Sequence, residues 1–291
     1  MHWEPMSVDE FARYRREEGM KLVNRDDIWW AEVRPFFYRP LFPFQEIKPW
    51  SKRYPPKAVI GGFLHLVPPP VQTGACINFH VYDNLQGYSL DTLSSKRRKV
   101  TRDSMTKFSV RSIIDLDEFV ATAYEVYKNF YERTNYWYKN ERIVKNNFKS
   151  WAETLYLHPK IHKTGIYLGD KLSAVETSFR IEDIIIGDYL FSDNAGLSQN
   201  VIDFLMHKLR EAAARTDAKF FCSGLPTGVA SLDDSKLMRG CKLLSLPAYC
   251  KINPLALAFA KVIMKDSYHK LRTVVTRDIP DSPQWETGAG R

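Results

Sequence analysis

Cysteine is scarce in this chain of 291 residues: Cys76, Cys222, Cys241 and Cys250 lie scattered, with no CxxC pair and no zinc-ligand spacing. A disulfide framework and a zinc site are both excluded as organising principles, and each cysteine reads as a small buried hydrophobe. Long apolar runs are missing too. The longest, residues 255–264, is interrupted by Lys261 and falls far short of the roughly 20 residues that a membrane span needs. The N-terminus has neither the basic start nor the apolar core of a secretory signal, so a soluble, cytoplasmic protein without a membrane span is expected. There is no Gly-x-Ser-x-Gly elbow, HExxH, Walker loop or GxGxxG in βα context, which removes support for a hydrolase, zinc protease, nucleotide triphosphatase or dinucleotide oxidoreductase. No metal is expected.

What is present is enough apolar material for a sizeable core, 44% hydrophobic with 13% aromatic, and a net charge of +8 that is unevenly placed. Between Ser89 and Arg111 seven basic residues (Lys96, Arg97, Arg98, Lys99, Arg102, Lys107, Arg111) face two acidic ones (Asp91, Asp103). The basic patch Lys96, Arg97, Arg98, Lys99 and Arg102 suits a nucleic acid, a phosphate-rich cofactor or an acidic acceptor, and equally a solvated helix face.

Local patterns predict the elements. Ser7-Val8-Asp9-Glu10 is a capping-box start for a helix. Residues 34–50 interleave Pro with Phe, Tyr and Trp and predict a long aromatic loop, either a cover for a core or a contact surface. Strands are expected over 57–67 and 75–82, a basic helix over 90–105, a short strand over 108–113, and helices over 115–134 and 141–157. His80, within the second strand, reads as structural. Three antiparallel strands follow (166–168, 172–180, 183–192), turning at Gly169-Asp170 and at Ile181-Glu182-Asp183. A polar loop at 193–200 opens a helix to residue 215, and a strand spans 219–223. A short helix over 231–239, a strand over 242–252 broken by Pro247, a helix over 254–271 and a disordered tail complete the chain. Unpaired N–H groups at a helix start, with the positive end of its dipole, hold a phosphate without charged side chains, and the loop at 193–200 is so placed.

Three features carry a family resemblance: Leu93-Ser94-Ser95-Lys96-Arg97-Arg98-Lys99-Val100-Thr101-Arg102 before a short strand and capped helix; the hairpin into Gly187-Asp188-Tyr189-Leu190-Phe191-Ser192-Asp193; and Phe220-Phe221-Cys222-Ser223-Gly224 before a helix and Lys236-Leu237-Met238-Arg239-Gly240-Cys241-Lys242-Leu243. In order and spacing residues 90–253 resemble the acyl-CoA N-acyltransferase (GNAT-like) superfamily, and its FemAB-like branch in particular. The resemblance implies an α+β (α/β/α) fold, a central, mostly antiparallel mixed sheet flanked by helices. It implies residues 89–275 as the acyltransferase domain, with 1–88 an α+β extension packed on it and 276–291 a tail. The superfamily's usual pyrophosphate loop, Gln or Arg followed by x-x-Gly-x-Gly or Ala, is reduced here to Gly196. FemAB-like proteins that use aminoacyl-tRNA also depart from that loop, and the basic helix suits a phosphate backbone.

The implied activity is transfer of an acyl or aminoacyl group, from acyl-CoA or aminoacyl-tRNA, to a small-molecule or peptide amine by direct attack. Acyl transfer needs anchored donor phosphates, a polarised carbonyl and a base. Phe191, Ser192, Gly196, Leu197, Ser198, Gln199 and Asn200 are the candidate donor-binding residues, and the carbonyl would be polarised near Phe191 and Ser192 if the strands splay there. Glu176, the carboxylate within Ser173-Ala174-Val175-Glu176-Thr177-Ser178-Phe179, is the candidate base or a solvent-facing strand residue. Asp188 and Asp193 are further carboxylates with turn-forming alternatives. Tyr249 is the candidate proton donor to a leaving thiolate, or a packing residue beside Pro247. A non-catalytic polyanion- or partner-binding module on the same fold is the alternative function.

Overall fold

The computed structural model describes residues 1–49, 53–71, 73–134 and 139–276. The tail expected after residue 275 lies outside the described residues from 277 on, as does Trp50 at the end of the aromatic loop. Packing divides the chain into two compact units. One comprises Met1–Lys21, Phe79–Leu225 and Ala230–Leu243; the other comprises Leu22–Asn78, Pro226–Val229 and the chain from Leu244 onward.

The chain opens with β1 (Pro5–Met6) and α1 (Val8–Glu17). The capping box forms as expected: Ser7 Oγ accepts from the Glu10 N–H at 3.1 Å, and the Glu10 carboxylate accepts from the Ser7 N–H at 2.7 Å. Strands β2 (Leu22–Arg25), β3 (Ile28–Arg34) and β4 (Phe37–Pro40) follow. β4 corrects the expectation of an irregular loop over 34–50. Pro40 is its last residue, opposite Trp30, and a proline without an N–H is tolerated at such an end. The strand expected over 57–67 is half turn: Pro56–Val59 is a 3-10 helix, and only Gly62–Leu66 (β5) is extended.

Next come β6 (Cys76–Tyr82), α2 (Ser95–Met105), β7 (Phe108–Ser112), α3 (Leu116–Thr134) and α4 (Lys145–Tyr156). The strands β8 (His162–Leu168), β9 (Lys171–Ile181) and β10 (Ile184–Ser192) lead to α5 (Asn194–Ser198), α6 (Val201–Ala213), β11 (Phe220–Cys222) and α7 (Ala230–Leu237). β12 (Lys242–Ile252) runs unbroken through Pro247, whose carbonyl accepts from the Val67 N–H at 3.1 Å. The terminal helix expected over 254–271 is two, α8 (Pro254–Ile263) and α9 (Lys265–Val274), because Met264 (φ −115°, ψ 52°) leaves the helical region. β13 (Val275–Thr276) pairs antiparallel with Ile77 and Cys76.

In the first unit the strand order is β6-β11-β10-β9-β8-β7, with β1 parallel to the end of β9. The β8, β9 and β10 neighbours are antiparallel, as read from their turns, while β10 and β11 are parallel. The sheet is thus mixed and mostly antiparallel, the class expected from the sequence. β9 is buried on both faces because alternate side chains meet different helices. Ala174 packs with Ile166, Ile185 and the α6 residues Val201, Phe204 and Leu205. Phe179, of opposite parity, meets Phe11 of α1 with the rings tilted and 4.8 Å apart, and Phe191 of β10 meets Tyr127 of α3 at 5.2 Å. Helices therefore cover both faces.

The second unit is built on β2-β3-β4-β5-β12, antiparallel except for the parallel β4–β5 pair. Its core holds Ile28, Trp30, Tyr38, Ile47, Ala58 and Phe63, with Tyr54 and Tyr249 packed against it.

Candidate active site

The parallel pair at the centre of the first unit separates. β10 and β11 pair through Ile184–Phe220, Ile185–Phe221 and Ile186–Cys222. Beyond Ile186, β10 continues to Ser192 on β9 alone, whereas the chain after Cys222 follows β6, the Ser223 N–H donating to His80 O and the His80 N–H to Gly224 O, both at 2.8 Å. Two parallel strands parting in mid-sheet leave backbone groups of one edge without a ladder partner, and such groups polarise a carbonyl. Gly187 stands at the fork, where an added Cβ would lie 3.2 Å from the Phe221 ring, and a bulge between Gly187 and Tyr189 re-aims the strand.

Glu176 sits one strand from this fork. It is opposite Leu190 on β10 and Thr164 on β8. Directly paired residues share a face, and Leu190 is 40% exposed, so solvent comes within one side chain of the carboxyl. Glu176 itself is fully buried. Its Oε2 accepts from Ser178 Oγ at 3.2 Å, Ser178 Oγ in turn accepts from Trp3 Nε1 at 2.9 Å, and Oε1 has no partner within hydrogen-bond geometry among the described residues, with Thr164 opposite it across the ladder. Burial pushes the carboxyl up to about 8, against hydrogen bonds from Ser178 and Thr164.

Most backbone donors of the loop that follows β10 are already engaged, within the loop or on α3. The Asp193 carboxylate caps α5 by accepting from the Gly196 N–H at 2.6 Å, and Asp193 O accepts from the Leu197 N–H. The Asn194 N–H donates to Asn129 Oδ1, the Gln199 N–H to Gly196 O and the Asn200 N–H to Leu197 O. Gly196 is buried, and a Cβ there would lie 3.0 Å from that of Ser173 and 3.1 Å from Asp193 Oδ1. Of the other candidates, Phe191 is packed in the core, Ser192 O accepts from Arg133 Nη1 at 3.0 Å, Ser198 Oγ donates to Ala195 O, and Gln199 Oε1 accepts from Lys107 Nζ. A fixed carboxylate at a helix start occupies the position that would otherwise attract phosphate.

No protein-family profile and no curated protein sequence matches the chain. Solved structures do. The C-terminal domain of a putative lysylphosphatidylglycerol synthetase from Agrobacterium fabrum superposes with a TM-score of 0.57 at 9% identity, covering 89% of this chain and 91% of that one. FemX gives 0.56 at 10% identity over 87% and 93%, and the L-PGS of Bacillus licheniformis 0.54 at 11% over 94% and 99%. The chain has the fold of FemX. The mixed α+β fold, a sheet flanked by helices, that the resemblance implied is the one found.

On this FemX-like fold the basic helix is divided by its own periodicity. Residues 97, 101 and 104 face inward: Thr101 and Ser104 are buried, and Arg97 reaches the buried Asp203 at 3.1 Å, which Arg239 also contacts at 3.0 Å. Arg97 thus holds α2 to α6. Ser95, Arg98, Lys99, Arg102 and Asp103 face outward and line a surface cavity of about 310 Å³. Asp91 pairs with Arg98 at 3.0 Å and Arg102 at 3.9 Å, and Lys96 and Lys99 are exposed. Tyr249 belongs to the second unit, on β12 opposite His65, with its ring 5.8 Å from Phe63 and 5.7 Å from His65. The structure places it and Glu176 in different units. Among the described residues no group of His, Cys, Asp and Glu is placed to hold a metal ion, and no helix is long and apolar enough to cross a membrane.

Two groupings were not legible in the sequence. At the fork, His80 lies 3.8 Å from Asp233, and Lys236 Nζ donates to Ser223 O at 2.9 Å. Burial first, then Lys236, hold the imidazole pKa down, so His80 is neutral. On the opposite face of the sheet, Arg15 joins Glu18 and Asp188, each at 2.5 Å. Tyr14 OH donates to Asp188, while Arg142, Trp151 Nε1 and Tyr189 OH donate to Glu18. Burial opposes ionisation of Glu18, but Arg15 and Arg142 outweigh it and hold its carboxyl below the usual range. Asp188 therefore ties α1 to β10 rather than forming a turn. The i, i+3 spacing of Arg15 and Glu18 was the one available signal.

Proposed function

We propose that the protein transfers an aminoacyl or acyl group to a small-molecule or peptide amine by direct attack in a ternary complex, and that aminoacyl-tRNA is its favoured donor. The reaction is assigned to the part of the 89–275 domain that belongs to the first unit, together with α1. The parting of β10 from β11 after Ile186 and Cys222 carries this reading. The donor's carbonyl oxygen would rest against the unladdered edge of β10. The amine nitrogen forms the new C–N bond as the C–O bond of an ester, or C–S bond of a thioester, breaks. The amine's proton passes to Glu176 in its ionised form, which a pKa of about 8 makes available as pH rises towards and past 8, and the leaving oxygen or sulfur takes a proton from water; Tyr249, in the other unit, has no part in this step.

Two observations support tRNA over coenzyme A as donor: Asp193 already caps the loop where a pyrophosphate would bind, and α2 presents Lys96, Arg98, Lys99 and Arg102 outward. Lysines and arginines neutralise a phosphate backbone whatever its sequence, and such binding weakens with salt. Filter binding of aminoacylated tRNA across a salt series is therefore expected to give a steep negative slope. Lys96→Glu, Lys99→Glu and Arg102→Glu together should flatten that slope by roughly 0.7–0.9 per lost phosphate contact. A salt-independent affinity, or tight coenzyme A binding in a calorimetric titration, refutes the tRNA preference. Binding without transfer to any amine would favour the second reading, a non-catalytic polyanion-binding module, for which the outward basic cavity and the sealed Glu176 speak.

A further inference from the structure

Helix α8 is turned inside out for a helix in water. No residue of it is buried, and its outward stripe is apolar: Leu255 is 81% exposed, Phe259 59%, Val262 64% and Ile263 64%. The first three recur at four- and three-residue spacing and so stand in line on one face, with Ile263 beside Phe259. The patch continues beyond the helix. Asn253, the N-cap, accepts from the Leu255 N–H and donates through Nδ2 to Val59 O at 3.2 Å, while its N–H donates to Gly61 O. This ties the turn bearing Val59, 80% exposed, and Ile60, 50% exposed, to the start of the stripe. Contiguous apolar surface of this kind marks an interaction site, whereas single exposed leucines do not.

Charge identifies what the patch meets. Residues 251–276 carry Lys251, Lys261, Lys265, Lys270 and Arg272 against Asp266 alone, and Lys57 precedes Val59. Lys57, Lys251, Lys261 and Lys265 are all exposed around the stripe. We infer that α8 and the Val59–Ile60 turn dock on an anionic lipid surface, the helix lying in the plane of the headgroups with Leu255, Phe259, Val262 and Ile263 inserted and the lysines among the lipid phosphates. A protruding aliphatic and aromatic stripe flanked by lysines is the pattern of interfacial helices, whose binding adds buried apolar area to attraction for anionic lipid. Nothing in this inference depends on the transferase reading.

The test uses the full chain and flotation with vesicles of phosphatidylcholine, with and without phosphatidylglycerol. Binding is expected to the mixed vesicles and to weaken with salt. Phe259→Glu with Val262→Glu should lower it by at least about tenfold, since two inserted side chains are lost and two charges repel the surface. Lys261→Gln with Lys265→Gln should lower it by about twenty-fivefold, at about fivefold per charge, with far-UV circular dichroism unchanged in both variants. Failure to float with either vesicle overturns the inference, as does flotation that the Phe259 and Val262 variant leaves intact. Concentration-dependent dimerisation abolished by that same variant, without vesicle binding, would assign the face to a second copy of the chain instead.

Discussion

Glu176→Gln is the most informative single change, because its effect on stability has a sign and a size that the structure dictates. In the folded protein the carboxyl keeps its proton up to about pH 8, whereas the ordinary value, taken for the unfolded chain, is 4.5. Between those two pH values the unfolded state binds fewer protons than the folded one, so the wild-type protein loses stability as pH rises. One pH unit corresponds to about 1.4 kcal/mol, and the interval of roughly 3.5 units therefore sets a ceiling of about 5 kcal/mol. That is comparable to the whole stability of many domains. Glutamine has the shape of the protonated acid and no proton to lose, so the variant should be insensitive to this term. Urea unfolding of both proteins at pH 5 and pH 9 measures it, and any fixed cost of the substitution cancels in the pH difference. The variant should gain about 3–5 kcal/mol relative to wild type on going to pH 9. Parallel pH profiles would refute the reasoning by showing that Glu176 is solvated or ionised at neutral pH. The same variant decides the proton-acceptor role, since loss of a wild-type rate limb rising through pH 8 is expected only if Glu176 takes the amine's proton.

Arg15→Met should destabilise the protein by about 3–5 kcal/mol, because it leaves the carboxylates of Glu18 and Asp188 buried beside each other without the guanidinium that joins them. Urea unfolding at pH 7 checks this, and a cost under about 1 kcal/mol would mean that water or Arg142 replaces it. Asp193→Ala removes the cap on Gly196 and should cost about 0.5–2 kcal/mol in thermal or urea unfolding. If the carboxylate is what excludes phosphate from the loop, coenzyme A should bind this variant measurably better than wild type in a calorimetric titration. Equal affinities would show that the closed backbone of the loop, and not the charge, excludes it.

Local chemistry made much of this protein legible from the sequence. The capping box at Ser7 and Glu10, the hairpin turn at Gly169 and Asp170, and the apolar spacing of α3 and α6 each depend on residues within a few positions of one another, and they appear where expected. Proline misled twice in the same direction, because its cost depends on the neighbours a strand acquires: Pro40 ends β4 harmlessly, and Pro247 sits within an intact β12.

The candidate site was legible only in part. Glu176 stood out in the sequence as a carboxylate in an apolar strand, but its burial, its pKa near 8 and its link through Ser178 to Trp3 join residues 175 positions apart. The fork between β10 and β11 is a relation among three strands, with β6 drawing the chain away after Cys222, and no local spacing encodes it.

By itself the sequence determined the order of most elements, the antiparallel run from β8 to β10 and the concentration of positive charge on α2. These follow from backbone propensity, side-chain periodicity and composition, which act over a few residues. Only the tertiary structure decided that Arg97 is a tie to Asp203 rather than a free cation, that Asp193 caps the loop expected to hold phosphate, and that the apolar face of α8 points outward. Each of those outcomes depends on which distant group a side chain meets. Burial and pairing, which set charge state and access, exist only once the chain has brought those groups together.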